Sequence, residues 1–445
     1  MKNIEELEDY LSSFIAKPGS GKPRNFGHER AKYLLALLES PQNDYPSFHI
    51  ATSKSTAYAT STILQSQYKV LMTSPHLTNV LERCQINSRI IEIERVSSII
   101  EQLKQAVEKC TGSFFEPSYY EVVIALSFLL FSKENIDVAV VEVLGGLLDG
   151  TNVITRNDKI CIITKQYDHE AFVGDTLEQI TYNDTGIIGQ GNTVISLYHQ
   201  QPICRDVLEH FCKEKKADLT YVFPDESEDL SVYPEKNKFI YEKNSYTTSL
   251  LGAYQAENIS LAIKGSEIFL ERNGKAIDQV SLVKRIQELR IPRFEIQERK
   301  GQLVVFDGAH NPQKMRAFIK SLKSYFPDYS FHFLLSFKED KKAGEMLDTI
   351  RPEAKTITTC NYDLHQDIVF KTYDETFYGE YFAQKEIVRQ HRQEPFEARE
   401  AVLVLLSKPQ ETKEEDNEDE RQKNIIVVTS LYLLAYLYTQ KNLFN

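Results

Sequence analysis

The 445-residue chain carries no Cys-x-x-Cys pair, no excess of positive charge, no apolar run long enough to cross a bilayer comfortably and no internal repeat. Each absence excludes something. The six cysteines, at positions 84, 110, 161, 204, 212 and 360, have spacings that fit neither a zinc site nor a small disulfide framework. Reduced thiols in a cytoplasmic protein are the expectation. A formal net charge of −12 argues against broad, backbone-driven binding to nucleic acid, which needs a basic face. It leaves room for a small anionic substrate held locally. The longest apolar runs, residues 122–131 and 425–436, fall short of a membrane span. The opening MKNIEELEDYLSSF is acidic and amphipathic and has no signal-peptide core. The expectation is a soluble cytoplasmic protein with neither nucleic acid nor membrane as partner, long enough for two or three domains.

The stretch 138–152, VAVVEVLGGLLDGTN, organises what is there. Its first residues form an unbroken apolar run, as in a strand buried inside a parallel sheet. Glu142 then stands at the strand end, followed by Gly145, Gly146 and Asp149. Ligands of open parallel sheets bind outside the carboxyl ends of the strands, so an acid and a glycine turn there are placed for a metal or a phosphate. An ordinary turn reads equally well. A second strand, 48–51, runs into Thr52-Ser53-Lys54-Ser55-Thr56 and then a helix to Leu64. That is the layout of a phosphate-binding loop without the glycines that let successive N–H groups curl around phosphate. A third strand, 159–164, ends near Asp168-His169, and His169 gains meaning only jointly with Glu142.

Helices are predicted over 4–14, 29–38, 97–110 and 119–131 from apolar spacing. A polar, irregular segment 225–245 carries a hairpin near 238–246, and helices follow to Phe269 and over 280–289. Residues 292–295, Pro-Arg-Phe-Glu, look like a domain hinge. Beyond them a second strand–helix alternation starts at about residue 296. The expected division is therefore 1–295 and 296–445. The charge run 408–423 reads as a solvated loop.

Six motifs, in order, resemble the folylpolyglutamate synthase/dihydrofolate synthase family of the Mur ligase superfamily. They are TSPHL at 73–77 with ERCQIN at 82–87, EVLGGLLDGTNV at 142–153, DH at 168–169, GAYQAEN at 252–258, IPRFE at 291–295 and DGAHNP at 307–312. The resemblance implies a two-domain α/β fold, with a larger N-terminal P-loop-like Mur ligase central domain and a smaller C-terminal Rossmann-like domain. It also implies an ATP-dependent ligase. A folate or dihydropteroate carboxylate attacks the γ-phosphate of ATP, and the amine of L-glutamate then displaces phosphate from the acyl phosphate. ATP and Mg2+ are the implied cofactors, the partners are small molecules, and a monomer is usual. By the same resemblance Glu142, His169 and Ser55 hold magnesium. Lys54, Ser55, Thr56, Asn258, Arg293 and Asp307 meet the nucleotide. Arg293 reaches the γ-phosphate, His310 sits near the acyl phosphate or incoming glutamate, and Asp184 stands near the family's carbamylated lysine. Gly27, Glu29, Arg30, Tyr120, Glu121, Asp149 and Thr151 lie near the acceptor.

Plainer roles compete with these. His310-Asn311-Pro312 suits a helix cap, Arg293 suits a domain-interface ion pair, and Asn258 suits a solvent-facing helix. The chain also departs from the pattern. Where the family has His-Val-Ala-Gly-Thr-Asn-Gly-Lys-Gly-Ser, this sequence has the shorter, glycine-free HIATSKST. Asn183-Asp184-Thr185-Gly186-Ile187 replaces Glu-Lys-Ala-Gly-Ile, so the modified lysine is missing. EVLGGLLDG lacks an arginine, and Thr429-Ser430-Leu431 lacks the glycine of Thr-Gly-Ser-Leu. The sequence leaves two classes open: a divergent ligase, and a non-catalytic relative that binds a ligand or a partner. A Mur-type ligase with another amino acid or acceptor is a third reading.

Overall fold

The structure, a computed structural model, describes residues 3–15, 27–52, 54–64, 71–72, 76, 78–143, 146–164, 176–224, 237–291, 294–299, 301–339, 341–362, 371–384, 391–397, 405 and 423–439. It is a two-domain α/β protein. The first sheet comprises β1 (Ser47–Ala51), β2 (Leu71–Met72), β3 (Cys84–Ile86), β4 (Arg89–Ile90), β5 (Ala139–Glu142), β6 (Ile160–Ile163), β7 (Thr193–Leu197) and β8 (Asp218–Val222). Their spatial order is β4-β3-β2-β5-β1-β6-β7-β8. All pairings are parallel except those of β3, which runs antiparallel to both β2 and β4. β1 lies at the centre, between β5 and β6, and every residue of β1, β6 and β7 is buried. Apolar, β-branched runs such as ICII and TVISL suit a parallel sheet covered on both faces.

The helix Tyr119–Lys133 is apolar on every side and almost entirely buried, as expected of a helix packed within a core. The helix Tyr254–Arg272 lies directly on the sheet. Its Gly265 allows this, because a Cβ there would sit 3.0 Å from Phe48 and 3.2 Å from Ile162. Phe48 thus faces that helix, and its neighbour His49 points to the opposite face of the sheet.

A hairpin of β9 (Asn237–Tyr241) and β10 (Asn244–Thr248) precedes this helix. The second sheet contains β11 (Glu295–Arg299), β12 (Gln302–Asp307), β13 (Tyr329–Leu335), β14 (Ala354–Asn361), β15 (His391–Glu397) and β16 (Lys423–Thr429), in the order β11-β12-β16-β13-β14-β15. Only β11 is antiparallel to its neighbour. The hinge-like stretch therefore runs straight into an edge strand.

The two cores interlock. Leu251, just ahead of the helix Tyr254–Arg272, packs in the second core with Phe294, Phe318 and Tyr325. The Tyr325 hydroxyl donates a hydrogen bond to Asn237 Oδ1 and accepts the Gly252 N–H at 3.3 Å. Asn237 Nδ2 in turn holds the Leu250 and Gly252 carbonyls at 2.6 and 3.1 Å. All six cysteines are buried free thiols. Among the described residues, no helix is long and apolar enough to cross a membrane.

Candidate active site

The carboxyl ends of β5, β1 and β6 lie level. Ile50 is in register with both Glu142 and Ile162. Just past the strands the ladder continues, with Val143 N–H donating to Ile50 O at 2.9 Å and Thr164 N–H to Ala51 O at 3.3 Å. The Thr52 and Thr164 hydroxyls are hydrogen-bonded across the gap. Glu142 and the segment entering the helix Lys54–Leu64 therefore leave one sheet edge together. Asp168 and His169, which follow β6 in sequence, lie outside the described residues, as do Gly145 and Arg293. Of Lys54 only the backbone is described.

Asp184 lies next to the turn that follows Glu142 in sequence, since its neighbour Asn183 packs against Gly146. It ends the helix Leu177–Asp184 and is buried. The short helix Gly146–Leu148 packs against it through two glycines. A Cβ on Gly146, which has φ +61°, would lie 2.9 Å from Asn183 Cβ, and one on Gly186 would lie 2.7 Å from Leu147 Cα. Asn152 Nδ2 closes the turn on the Gly146 and Leu147 carbonyls at 2.7 and 3.0 Å.

Ser55 and Thr56 are buried in the first turn of the helix Lys54–Leu64. Thr56 Oγ1 donates to Asn258 Oδ1 at 3.2 Å, and Asn258 Nδ2 donates to Gln255 Oε1 at 3.1 Å. Asn258 is thus a buried residue of an interhelical network. Its carboxamide is orientated from both ends.

The residues expected near the acceptor converge in a second cluster. Fully buried Glu121 accepts Gly27 N–H at 3.0 Å, Ser118 N–H at 2.7 Å and Arg30 Nε–H at 3.2 Å. A side chain at Gly27 would displace the Arg30 guanidinium, which folds to 2.2 Å from where the Cβ would be. Tyr120 donates to Asp149 Oδ2 at 3.4 Å, while Asp149 Oδ1 accepts the Thr151 N–H and hydroxyl at 2.8 and 2.6 Å. Glu29 alone turns outward, exposed and paired with His28 at 3.1 Å. The two sequence motifs at 73–77 and 82–87 meet where buried Arg83 donates from Nε to His76 Nδ1 at 2.9 Å. The Arg83 guanidinium also lies 5.9 Å from the Tyr119 ring centroid.

Sequence reasoning assigned no role to His49. It is fully buried on β1, and Nε2 lies 2.8 Å from Thr151 Oγ1. Burial holds its imidazole well below the ordinary histidine range, and nearby Lys159 pushes the same way. A polar residue in the buried run FHIA was the available signal.

In the second domain, both oxygens of Asp307 are engaged at the end of β12. Oδ1 accepts Ala309 N–H at 2.8 Å and Oδ2 accepts Phe294 N–H at 3.0 Å. Phe294 follows Arg293 in sequence and adopts φ +48°. His310 is buried, and its Nδ1–H donates to Gly308 O at 2.7 Å. Asn311 caps the helix Pro312–Tyr325 by accepting Lys314 N–H at 2.8 Å. Ser430 N–H donates to Asp307 O at 3.2 Å and Thr429 Oγ1 to Ala309 O at 3.3 Å. Ser430 adopts φ +107°, a conformation suited to glycine.

Two interlocked α/β domains, with polar side chains gathered at the strand ends of both, form the two-domain fold also seen in solved folylpolyglutamate synthases. Residues 292–407 match the model of the Mur ligase glutamate ligase domain. The dihydrofolate synthase/folylpolyglutamate synthase of Bacillus subtilis is 27% identical over 369 residues, covering 79% of this chain and 82% of that protein. The dihydrofolate synthetase of Saccharomyces cerevisiae is 29% identical over 363 residues, covering 75% and 81%. The fold is shared with a folylpolyglutamate synthase of Mycobacterium tuberculosis solved with ADP, at a TM-score of 0.81 and 23% identity over 98% of this chain and 97% of that one. Over most of its length the chain is similar to members of the folylpolyglutamate synthase/dihydrofolate synthase family.

Proposed function

We propose that this protein is an ATP-dependent, ADP-forming ligase that joins L-glutamate to a folate or dihydropteroate through an acyl phosphate. The observation that carries the reading is the single sheet edge from which Glu142 and the segment entering the helix Lys54–Leu64 emerge together. The names of the matched relatives and the ADP of the Mycobacterium tuberculosis structure support it.

Positioning and charge neutralisation supply most of such catalysis. An acceptor carboxylate oxygen attacks the γ-phosphorus, the bond to the β–γ bridging oxygen breaks, and ADP leaves. The glutamate nitrogen then attacks the acyl carbon, the acyl C–O bond breaks, phosphate departs, and the amine loses a proton to solvent. With no loop glycines, the first-turn N–H groups of the helix Lys54–Leu64 take over the phosphate contacts, assisted by Lys54 and Ser55. Asn258 and Asp307 hold the nucleotide, and Arg293 meets the γ-phosphate between the domains, which divide near residue 296. His310 presents its ring toward the acyl phosphate and glutamate. Arg30, Tyr120, Glu121, Asp149 and Thr151 line the acceptor side, with Gly27.

By their chemistry the carboxylates of Glu142 and Asp184 suit magnesium, which takes one or two carboxylates and keeps several waters. Glu142, Ser55 and His169 would hold it, with Asp184 acting through water. When bound, the ion neutralises charge on the transferred phosphoryl group. The same reading makes the protein a cytoplasmic monomer acting on small molecules. An ADP-release assay with ATP, Mg2+, L-glutamate and either dihydropteroate or a folate tests it. Release is expected to require all components and to fall at least about a hundredfold in Glu142→Ala. Release independent of glutamate and acceptor would sink the assignment.

A further inference from the structure

We propose that His49 is a positioning residue for the acceptor, fixing the Asp149 carboxylate through the Thr151 hydroxyl. The inference rests on the ligase reading for the acceptor's identity, and on the geometry for the connection.

Proton bookkeeping makes the connection directional. Thr151 Oγ1 lies 2.6 Å from Asp149 Oδ1 and 2.8 Å from His49 Nε2. A hydroxyl has one proton to give. The carboxylate can only accept, so that proton points to Asp149. The hydroxyl then receives one from His49, which places the imidazole proton on Nε2. Nδ1 is left as a bare acceptor, fully buried and without a hydrogen-bond partner among the described residues. Burying such an atom is costly. Leucine or valine would fill a strand position facing a core at no such cost, so the imidazole is retained for what Nε2 does.

Nε2 fixes the hydroxyl of Thr151, a residue that holds Asp149 Oδ1 from two directions, by backbone N–H and by hydroxyl. Tyr120 approaches the other carboxylate oxygen. The carboxylate's orientation is therefore set from β1, three residues before Thr52 and the phosphate-side turn. Acceptor-side and nucleotide-side geometry share this strand, whose alternate residues Phe48 and Ile50 are locked in the core on its other face.

The test compares His49→Leu, His49→Gln and Thr151→Val in steady-state ADP release, varying acceptor and ATP separately. His49→Leu should raise the acceptor KM about tenfold, the effect of one lost buried hydrogen bond, with the ATP KM within about twofold of wild type. His49→Gln, whose carboxamide N–H reaches the same hydroxyl, should recover most of the loss. Adding Thr151→Val to His49→Leu should give little further change, because both remove one link. Equal rises in both KM values, or none in either, would overturn the proposal. If His49→Leu does not fold, the comparison of His49→Gln with the shorter His49→Asn decides it, with only Asn expected to weaken the acceptor. If wild type releases no ADP with these substrates, the ligase reading falls separately. Calorimetric binding of the acceptor then decides the inference: tenfold weaker binding by the variant supports it, and equal binding, or none by wild type, overturns it.

Discussion

Thr56 and Asn258, 202 residues apart in the chain, are joined by a 3.2 Å hydrogen bond between two buried helices. The bond couples the first turn of the phosphate-side helix to the carboxamide assigned to the nucleotide. Thr56→Val keeps the shape and removes the donor. It is expected to weaken Mg-ATP binding about three- to tenfold, the effect of one neutral hydrogen bond, and to leave acceptor affinity unchanged. Calorimetric titration with each ligand checks this. A change in acceptor affinity alone would mean that Asn258 serves the other substrate.

Glu121 and Arg30 form an ion pair on the acceptor side, with Glu121 fully buried. Glu121→Ala would remove the carboxylate that pairs with Arg30 and strip the Gly27 and Ser118 N–H groups of their acceptor. Removing one partner of a buried pair costs about 3–5 kcal/mol, and a urea midpoint should fall accordingly. Glu121→Gln keeps acceptors for the N–H groups and should lose less. A loss under about 1 kcal/mol for Glu121→Ala would show that water replaces the carboxylate.

Ser430 occupies a backbone conformation that costs a residue with a Cβ about 1–3 kcal/mol. Ser430→Gly should therefore raise stability, by about 1 kcal/mol after the added flexibility of the unfolded chain is subtracted. Chemical denaturation measures it. An unchanged or lower midpoint would mean that the serine side chain offsets the strain.

Histidine 49 also sets a pH dependence. Its folded pKa lies well below the ordinary value because of burial first and Lys159 second. Above about pH 6.5 both folded and unfolded states are neutral here, and the site adds no pH dependence. As pH falls below that, the unfolded state takes up a proton that the folded state refuses, and stability drops by up to about 1.4 kcal/mol per pH unit. Denaturation midpoints between pH 7.5 and 5.5 should therefore fall more steeply for wild type than for His49→Gln. Parallel slopes would show that the imidazole protonates in place.

Much of this architecture is written in local pattern. The buried strands around residues 138–142 and 159–164 are continuous apolar runs, and the helix at 119–131 is apolar on every side, so composition alone reveals them. The ribbon of β3 and β4 escapes notice because each strand is only two or three residues long. β11, EIQER, is polar and half-exposed, and an antiparallel edge strand needs no alternation strong enough to read. The candidate site divides in the same way. Glu142 and Asp307 stand at strand ends, where sheet logic looks for function. The partnerships that orientate the site, Gly27 with Glu121 or His49 with Thr151, join residues about a hundred positions apart and exist only once the chain is packed. Asn311 and Asp307 carry structural duties, capping a helix and holding Phe294, alongside the roles proposed for their neighbours.

The central claim is that the glycine-free turn still presents ATP to an acceptor carboxylate. Single-turnover mixing of the full chain with Mg-ATP, acceptor and L-glutamate, followed by mass spectrometry, tests it most directly. One glutamylated acceptor should form for each ADP, and neither should form when glutamate, acceptor or ATP is withheld. Absence of both product and nucleotide binding at millimolar Mg-ATP would contradict the account.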